Sequence, residues 1–447
     1  MYEQKISDFI DSHRDDMIDL LKAFVAVPSI VSEREGDMPF GKDVHKMLKL
    51  AEKTSEEMGF RTENFENQAV TADLNNQETS LQILCHLDVV PVNEKKWNSN
   101  PFEAVIKDNV IYGRGVCDNK GATVSALYAL YVLKELNIPL RKNVRLYLGG
   151  CEETGCTDLK NYLTDNKMPE YVFVPDACYP VGNGERGRIT INGNKQIKLN
   201  KTKYLKSGTA LNIVPEYAEA RFANVTESDI QDILSDKAID YDIYSENGEV
   251  CLKIFGKSTH TAHPEEGENA LSALIDVLKE VDDENDFIAK LSSTFPHNAF
   301  HGEGLGFANA DFSFSVTQAD YDGEMFNFTA DGRIGLKENT NEIESRVIKR
   351  FSDCAEIEVI PPHHVDENSE IVRRLMKIYN SAVGDDTAKP YILDAMTYAH
   401  YIDNAVIFGA VCGANSGNAH GNNESLNLDS LVFGAKIIAQ AIIEFCE

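Results

Sequence analysis

Apolar positions in the first part of the chain recur at helical spacing in some stretches and run continuously in others. Helical spacing occurs in three stretches, residues 4–26, 41–59 and 121–137. Continuous apolar runs of strand length occur at residues 81–90, 143–150 and 171–177. Strands that alternate with helices predict a parallel or mixed α/β sheet, with reactive loops at the carboxyl ends of its strands.

The pattern changes near residue 186, where the sequence becomes polar, β-rich and dotted with Gly and Asn. Helical stretches at 226–238, 268–281 and 341–353 are separated there by strand-like runs at 249–256, 311–316 and 326–334. This order predicts an inserted α+β domain of ferredoxin-like type, single or doubled. The acidic run 282–287 is predicted to be a solvated loop.

The α/β pattern returns near residue 370, with a helix, a strand-like run at 404–411 and a closing helix at 431–445. We therefore predict an α/β catalytic domain split between residues 1–185 and 370–447. Residues 186–369 are predicted to form the inserted domain. The chain of 447 residues is too long for one compact core of ordinary size, which agrees with two domains.

Composition narrows the classes of partner. Asp and Glu number 72 against 43 Lys and Arg, which gives a formal net charge of -29. This charge argues against nucleic acid and against anionic membranes as partners. No segment approaches the roughly 18 apolar residues of a membrane span, and the start lacks a signal-peptide core. The nine cysteines lack a CxxC pair, so free thiols and a cytoplasmic location are expected.

Side chains that ligate divalent metals follow several of the strand-like runs. They are His86 with Asp88, Asp118, the pair Glu152 and Glu153, Asp176, and His420. Two histidines and three carboxylates suit two metal ions better than one, because a single zinc ion takes four ligands and one carboxylate can bridge. The remaining glutamate is then available to move protons.

Each residue also has a structural interpretation. His86 and Asp88 lie two apart, so they share a face of a strand, as a ligand with its supporting carboxylate or as a buried structural pair. Asp118 precedes a helix and could cap it or bridge two cations. Glu152 and Glu153 point in different directions, so one can ligate while the other takes a proton from metal-bound water and delivers it to a leaving amine.

Several motifs together resemble the aminoacylase and dipeptidase metallopeptidases, and PepV-type bacterial dipeptidases in particular. They are HLDVVP, Trp97 with Pro101-Phe102, YGRGVCDNKG, GGCEETG, VPDACYP and AHGNNES. The resemblance implies a dinuclear zinc-peptidase domain of mixed sheet with a lid domain inserted. It places His86 and Asp176 on one ion and Glu153 and His420 on the other, bridged by Asp118. It makes Glu152 the general acid and base, and Asp88 the residue that holds His86.

The resemblance extends to the inserted lid. It implies that His260, in GKSTHTAHPEEGENAL, stabilises the tetrahedral intermediate with the help of Asn212. Arg333 lies at the family's DxR position, where a guanidinium can bind a substrate carboxylate through two parallel hydrogen bonds. Thr397 is a further expected substrate contact.

Two departures from the family pattern affect these expectations. Asn119 stands where a second aspartate is usual, but the expected ligand Asp118 is retained. The segment LDAMTYAH has Asp394, Ala395 and Met396 where PepV-type enzymes have glycines before Thr-Tyr, and His400 where an arginine is common. Because a glycine loop lets backbone amides approach a carboxylate closely, this change puts recognition of the substrate's C-terminal end in question.

The predicted function is hydrolysis of the amide bond of dipeptides by a monomeric, metal-dependent enzyme, with Glu152 activating a water that bridges the metal ions. The expected cofactors are two Zn²⁺ ions, with Mn²⁺ or Co²⁺ as alternatives. The alternative functions are an N-acyl amino acid deacylase of the same family and a catalytically silent binding homologue. Cys85, Cys117, Cys151 and Cys178 lie beside motif residues, and for the first three we expect burial as small hydrophobic side chains.

Overall fold

The computed structural model describes residues 2–235, 237–307, 311–411 and 417–447. Its helices are α1 Glu3–Ser12, α2 Arg14–Val25, α3 Lys42–Glu57, α4 Lys120–Glu135, α5 Thr157–Asp165, α6 Glu227–Leu234, α7 Ala270–Val281, α8 Asp286–Thr294, α9 Thr340–Phe351, α10 Glu370–Val383 and α11 Leu428–Cys446. No helix in these ranges has the length and apolar character needed to cross a lipid bilayer.

The strands vary in length from two to ten residues. They are β1 Arg61–Phe65, β2 Ala69–Asp73, β3 Thr79–His86, β4 Val105–Lys107, β5 Val110–Tyr112, β6 Asn143–Gly149, β7 Tyr171–Val174, β8 Ala177–Cys178, β9 Gly182–Glu185, β10 Gly187–Gln196, β11 Thr202–Ser207, β12 Ile213–Val214, β13 Tyr217–Phe222, β14 Asp240–Glu246, β15 Glu249–Phe255, β16 Thr259–His260, β17 Phe312–Tyr321, β18 Met325–Ile334, β19 Ala355–Ile360, β20 His363–His364, β21 Tyr391–Leu393, β22 Ala405–Ile407, β23 Ala410–Val411 and β24 Ser425–Asn427.

The chain divides into two compact units, Met1–Glu185 with His363–Glu447, and Arg186–Pro362. The chain returns from the second unit to the first between Pro362 and His363, earlier than the predicted boundary between residues 369 and 370. The reason is that β19 still belongs to the sheet of the second unit, whereas β20 pairs with β9 of the first unit. The catalytic and lid roles of the two units stay predictions.

The first unit is built on a mixed sheet in the order β1-β2-β6-β3-β7-β22-β9-β20, with β21 paired to β9. Its central strands β6, β3, β7 and β22 are parallel to one another. Neighbouring residues of one strand enter different cores, since Ile83 packs in one apolar cluster and Leu84 in another. The sheet is therefore buried on both faces, which explains why its strands read as continuous apolar runs.

The second unit contains one antiparallel sheet in the order β14-β15-β13-β11-β17-β18-β10-β19. Strand β13 shows the pattern, because Ala218, Ala220 and Phe222 are buried while Tyr217 and Arg221 between them are exposed. One sheet face packs on the helices and the other stays polar, as is typical of antiparallel sheets. The helices of this unit are α6, α7, α8 and α9.

Two local predictions were wrong. The helix expected over residues 4–26 is interrupted at His13, whose ring Nδ1 lies 2.8 Å from the carbonyl oxygen of Phe9 and competes for a main-chain acceptor. The run 282–287 is only partly a solvated loop. Asp282 is buried and accepts hydrogen bonds from the amides of Lys201 and Thr202. Asn285 caps α8, a helix that was not predicted from this acidic run.

Candidate metal centre

The candidate ligands lie at the carboxyl ends of neighbouring parallel strands of the first unit. Strand β3 ends at His86, β6 ends at Gly149 just before the two glutamates, and β7 ends at Val174 just before Asp176. In the sheet order β3 lies between β6 and β7, so the three strand ends are adjacent. Asp118 precedes α4 and His420 lies in the loop before β24.

One set of candidate ligands is formed by His86, Asp118 and Asp176, here called the His86 group. Nε2 of His86 lies 2.9 Å from Oδ1 of Asp118 and 3.6 Å from Oδ2 of Asp176. One ligand atom from each residue lies within 4.8 Å of the others. His86 is buried, so its position is fixed by packing.

A second set, here called the His420 group, is formed by Asp118, Glu153 and His420. Nε2 of His420 lies 2.8 Å from Oε2 of Glu153 and 3.1 Å from Oδ2 of Asp118. The ligand atoms of this group also lie within 4.8 Å of one another. Asp118 therefore directs one carboxylate oxygen to each histidine and belongs to both groups.

The chemistry of the two groups fits divalent cations. Each offers one imidazole nitrogen and two carboxylate oxygens, a donor set that zinc and manganese both accept. The structure brings together the five residues that the family resemblance implies as ligands, and their binding of metal ions stays a prediction. These donors do not select one metal over the other.

Asp88 contacts His86 and also binds two main-chain amides, and its expected role in holding His86 stays a prediction. The closest acceptor for Nδ1 of His86 is the main-chain carbonyl of Asp88 at 3.0 Å, and the Asp88 carboxylate lies 3.4 Å away. That carboxylate also accepts the amide hydrogens of Glu152 and Glu153, each at 3.0 Å. Asp88 lies two residues beyond the end of β3 and reaches the end of the neighbouring strand β6, a long-range contact that has no local sequence signal.

A second buried carboxylate, Asp158, continues this pattern. Its Oδ2 accepts the amide hydrogens of Gly150 at 2.8 Å and Cys151 at 3.2 Å, and the hydroxyl of Tyr398 at 2.5 Å. Asp88 and Asp158 together bind the amides of residues 150–153 in succession. Asp158 was not predicted from the sequence, because an acidic residue in the first turn of α5 suggests only an ordinary helix start.

Asn119, the departure beside Asp118, also contacts a candidate ligand. It is fully buried, and its Nδ2 donates to Oδ1 of Asp176 at 2.6 Å and to the carbonyl of Pro175 at 2.8 Å. The other oxygen of Asp176 is the one that faces His86. The amide of Asn119 therefore orients Asp176 in a way that an ionised aspartate, which has no donor, cannot.

The electrostatics of the site depend on its crowded carboxylates. Burial raises the pKa of Glu152 well above its ordinary value, and the nearby charge of His86 offsets only part of that rise. Burial and the negative charge of Asp118 raise the pKa of Glu153 to about 7. Hydrogen bonds to Asp118 and Glu153 raise the pKa of His420 to about 11.

Two of the expected substrate residues lie together in the second unit. Asn212 and His260 flank the paired strands β12 and β16, and Nδ2 of Asn212 lies 3.4 Å from Nε2 of His260. Nδ1 of His260 accepts the amide hydrogen of Ala262 at 3.1 Å. In the neutral ring the proton is therefore on Nε2, where it can be donated.

The other two expected substrate residues make internal hydrogen bonds. Arg333 is buried, and its Nη1 donates to Oδ2 of Asp331 at 2.8 Å. Thr397 in the first unit donates through its amide and its hydroxyl to the buried Glu185, at 3.0 and 2.7 Å. The next residue, Tyr398, places its ring 6.5 Å from that of His86.

The burial predicted for three cysteines beside the motifs, Cys85, Cys117 and Cys151, is confirmed. Cys178 is exposed. Burial is the largest cause that raises the pKa of Cys85 to about 12 and that of Cys151 to about 11. These thiols are therefore protonated at neutral pH and serve as small apolar side chains.

The sequence model of peptidase family M20/M25/M40 matches residues 83–444. The chain belongs to this family. A relative named "Putative dipeptidase" from Staphylococcus aureus (strain bovine RF122 / ET3-1) is 30% identical, and the match covers 100% of this chain and 99% of the relative. The family resemblance and the peptide-hydrolase class predicted from the motifs are confirmed.

Solved structures share the M20 fold at low sequence identity. Human carnosine dipeptidase 1 aligns with a TM-score of 0.62 at 15% identity, covering 100% of this chain and 99% of that one. The Bacillus subtilis YXEP protein, described as a dinuclear metal-binding peptidase, aligns with a TM-score of 0.53 at 12% identity, covering 97% and 99%. The predicted fold class is confirmed.

Because Asp88 anchors two amides, we expect Asp88→Asn to weaken cation binding mainly in the His420 group. An asparagine side chain has one acceptor oxygen in place of two, so the amide of Glu152 or Glu153 loses its partner. The affinity of the His420 group should fall by about tenfold or more, the range typical of residues that support ligands. Calorimetric titration with Zn²⁺ measures this. A loss confined to the His86 group would instead support the clamp predicted from the sequence.

In protein stripped of divalent cations, the free energy of unfolding should fall as pH rises. The folded pKa of Glu153, about 7, exceeds its ordinary value of 4.5. The stabilisation that Glu153 contributes is therefore complete below pH 4.5 and is lost as pH rises towards 7. The contribution of His420 is complete below 6.5 and is lost as pH rises towards its folded pKa of about 11. Both therefore act in the same direction near neutral pH.

Melting temperatures recorded in a chelator from about pH 5 to about pH 8 measure this effect. We expect them to fall across the range, and the stabilisation by added Zn²⁺ to grow with pH, because cations neutralise the carboxylates. Glu153→Gln should flatten the slope. A melting temperature that rises with pH in the chelator would contradict this account.

Proposed function

We propose that this chain is a metal-dependent dipeptidase that hydrolyses the amide bond of dipeptides. The observation that carries the proposal is the position of Asp118, whose two oxygens face the histidines of two separate ligand groups. Family membership and the name of the Staphylococcus aureus relative support the peptide substrate.

Five residues would hold two divalent cations. They are His86 and Asp176 for one ion, Glu153 and His420 for the other, and Asp118 for both. When bound, such cations polarise the scissile carbonyl group and lower the pKa of water towards about 7. We propose Zn²⁺, with Mn²⁺ or Co²⁺ as alternatives that the same donors would accept.

We propose Glu152 as the proton carrier. It belongs to neither ligand group, and its main chain is held by the carboxylate of Asp88 at 3.0 Å. Burial and neighbouring carboxylates raise its pKa, so its carboxylate has a high affinity for a proton. Glu152 would take a proton from the attacking water and pass it to the nitrogen of the leaving amine, which restores the carboxylate.

We propose that His260 stabilises the negative charge that develops on the carbonyl oxygen, with the amide nitrogen of Asn212 as a second donor. The proposal is supported by the acceptor role of Nδ1 towards Ala262, which places the N–H of the neutral ring on Nε2, 3.4 Å from Nδ2 of Asn212. Hydrogen-bond donors fixed in advance stabilise an oxyanion without reorganisation during the reaction.

Two further residues, Arg333 and Thr397, are proposed to take part in substrate recognition. Arg333 is proposed to bind the terminal carboxylate of the substrate, as the DxR position suggests. The hydroxyl of Thr397 donates to Glu185 and accepts from the amide of Ala399, so we propose that Thr397 shapes its loop and contacts substrate through neighbouring groups. A cytoplasmic monomer remains the expectation from sequence.

Glu152→Gln should abolish most activity while both cations remain bound. The amide keeps the shape of the side chain but cannot accept a proton, so kcat should fall by about 10²- to 10⁴-fold. Dipeptide hydrolysis and metal content are measured on the same preparation. Glu153→Gln is the matched control, because it should lower the metal content as well. An unchanged kcat in Glu152→Gln would rule out Glu152 as the proton carrier. Metal-loaded wild type that hydrolyses neither dipeptides nor N-acyl amino acids, with no effect of the Glu152 change, would favour the silent binding homologue.

The substrate class is tested by paired assays on the metal-loaded protein. Unblocked dipeptides and N-acetyl amino acids with the same C-terminal residue are compared through kcat/KM. We expect hydrolysis of the dipeptides, because the Staphylococcus aureus relative that matches along the whole chain carries a dipeptidase name. Hydrolysis of the acetylated compounds alone would support the deacylase instead.

A further inference from the structure

Arg114 and Glu424 form a buried ion pair between distant parts of the first unit. Nη1 of Arg114 lies 2.8 Å from Oε2 of Glu424, and the two side chains are 3% and 0% exposed. Arg114 lies four residues before Asp118, and Glu424 lies four residues after His420. The pair therefore joins the segments that carry two members of the His420 group.

The carboxylate of Glu424 is fully used by the Asp118 segment. Besides Arg114, its Oε2 accepts the amide hydrogen of Gly115 at 2.9 Å. Its Oε1 accepts the amide hydrogens of Cys117 at 2.8 Å and Asp118 at 3.0 Å. Four donors match the roughly four acceptor sites of a carboxylate, so a side chain from the His420 segment fixes the main chain of Asp118.

Arg114 makes the reciprocal contacts. Its Nη2 donates to the main-chain carbonyls of His420 at 3.2 Å and Gly421 at 3.0 Å. The amide of Gly113 donates to the carbonyl of Glu424 at 3.1 Å. Each segment thus supplies a buried charged side chain that binds the main chain of the other, and we call Arg114 and Glu424 the clasp.

The position of His420 depends strongly on its main chain. Its side chain is 58% exposed, so packing restrains it far less than it restrains the buried His86. The carbonyl of His420 itself is one of the two bound by Arg114. A shift of that carbonyl would carry the imidazole away from Asp118, whose Oδ2 lies 3.1 Å from Nε2.

We propose that the clasp of Arg114 and Glu424 is the positioning element of the His420 group, which sets the separation of His420 from Asp118 and so the affinity of that group for its cation. This inference rests on the proposed function for the presence of two cations. Neither clasp residue belongs to a ligand group. They act through the main chain of two residues that do.

The chain carries its own reporter of the clasp. Trp97 is the only tryptophan in the sequence, and Cζ of Arg114 lies 5.4 Å from the centre of its ring. The amide of the next residue, Asn98, donates to Oδ1 of Asn423 at 2.8 Å, beside Glu424. Tryptophan fluorescence therefore reports on the position of Arg114 without depending on catalysis.

The test compares wild type, Glu424→Gln and Arg114→Lys in calorimetric and fluorescence titrations of the full-length metal-free protein with Zn²⁺. A glutamine turns an amide group towards donors of the Asp118 segment, and a lysine lacks the second nitrogen that reaches the carbonyls of 420 and 421. In both variants we expect one of two binding steps to weaken by about 10- to 100-fold, and the other by clearly less. The Trp97 emission change should move to the same higher Zn²⁺ concentration.

Asp282→Asn is the matched control for loss of a buried carboxylate that binds amides. Asp282 is buried in the second unit and accepts from Lys201, Thr202 and the Thr202 hydroxyl. This variant should lower thermal stability and leave both Zn²⁺ binding steps as in wild type.

The possible results separate the two proposals. Wild-type protein that binds fewer than two Zn²⁺ ions would overturn the proposed function. If wild type shows two binding steps and the clasp variants leave both unchanged or weaken both equally, the positioning role is overturned. The proposed function is then unaffected. If Glu424→Gln does not fold, Arg114→Lys decides between these results, because it retains the buried positive charge.

Discussion

Repulsion among carboxylates is the constraint on which the site depends. Four of them, from Asp118, Glu152, Glu153 and Asp176, converge beside two imidazoles at one edge of the sheet. Their crowding and burial raise the pKa of both glutamates. Such a cluster is unfavourable unless positive charge compensates it, so the fold that assembles these residues also creates a strong demand for divalent cations.

A second set of buried carboxylates accepts hydrogen bonds from main-chain amides near the site. The loops that carry the ligands follow strand ends, where main-chain amides have no partners in the sheet. Asp88 and Asp158 bind the amides of residues 150–153, and Glu424 binds those of 115, 117 and 118. A rigid supporting layer of this kind holds ligands in place before any cation arrives. The acidic residues of the site thus divide into those that face a cation and those that face the backbone.

Sequence patterns predict those residues whose role follows from their neighbours along the chain. His86 and Asp176 could be predicted because each lies at the end of a buried apolar run, and such strand ends are adjacent in a parallel sheet. Asp158 and Glu424 were not found. Their partners, Tyr398 and Arg114, lie 240 and 310 residues away, and contacts at such separations leave no periodic signal. For the same reason the motifs alone assigned Asp88 to His86, its neighbour along the chain, and missed its bonds to residues 152 and 153.

The replacement at His400, three residues after Thr397, bears on how the first unit could recognise a substrate carboxylate. His400 stands where related enzymes commonly have arginine, and its Nδ1 lies 3.0 Å from Oε2 of the buried Glu185. The other oxygen of Glu185 accepts from Thr397. A histidine whose Nδ1 is engaged by a buried carboxylate lacks the two parallel donors with which a guanidinium binds a peptide's terminal carboxylate.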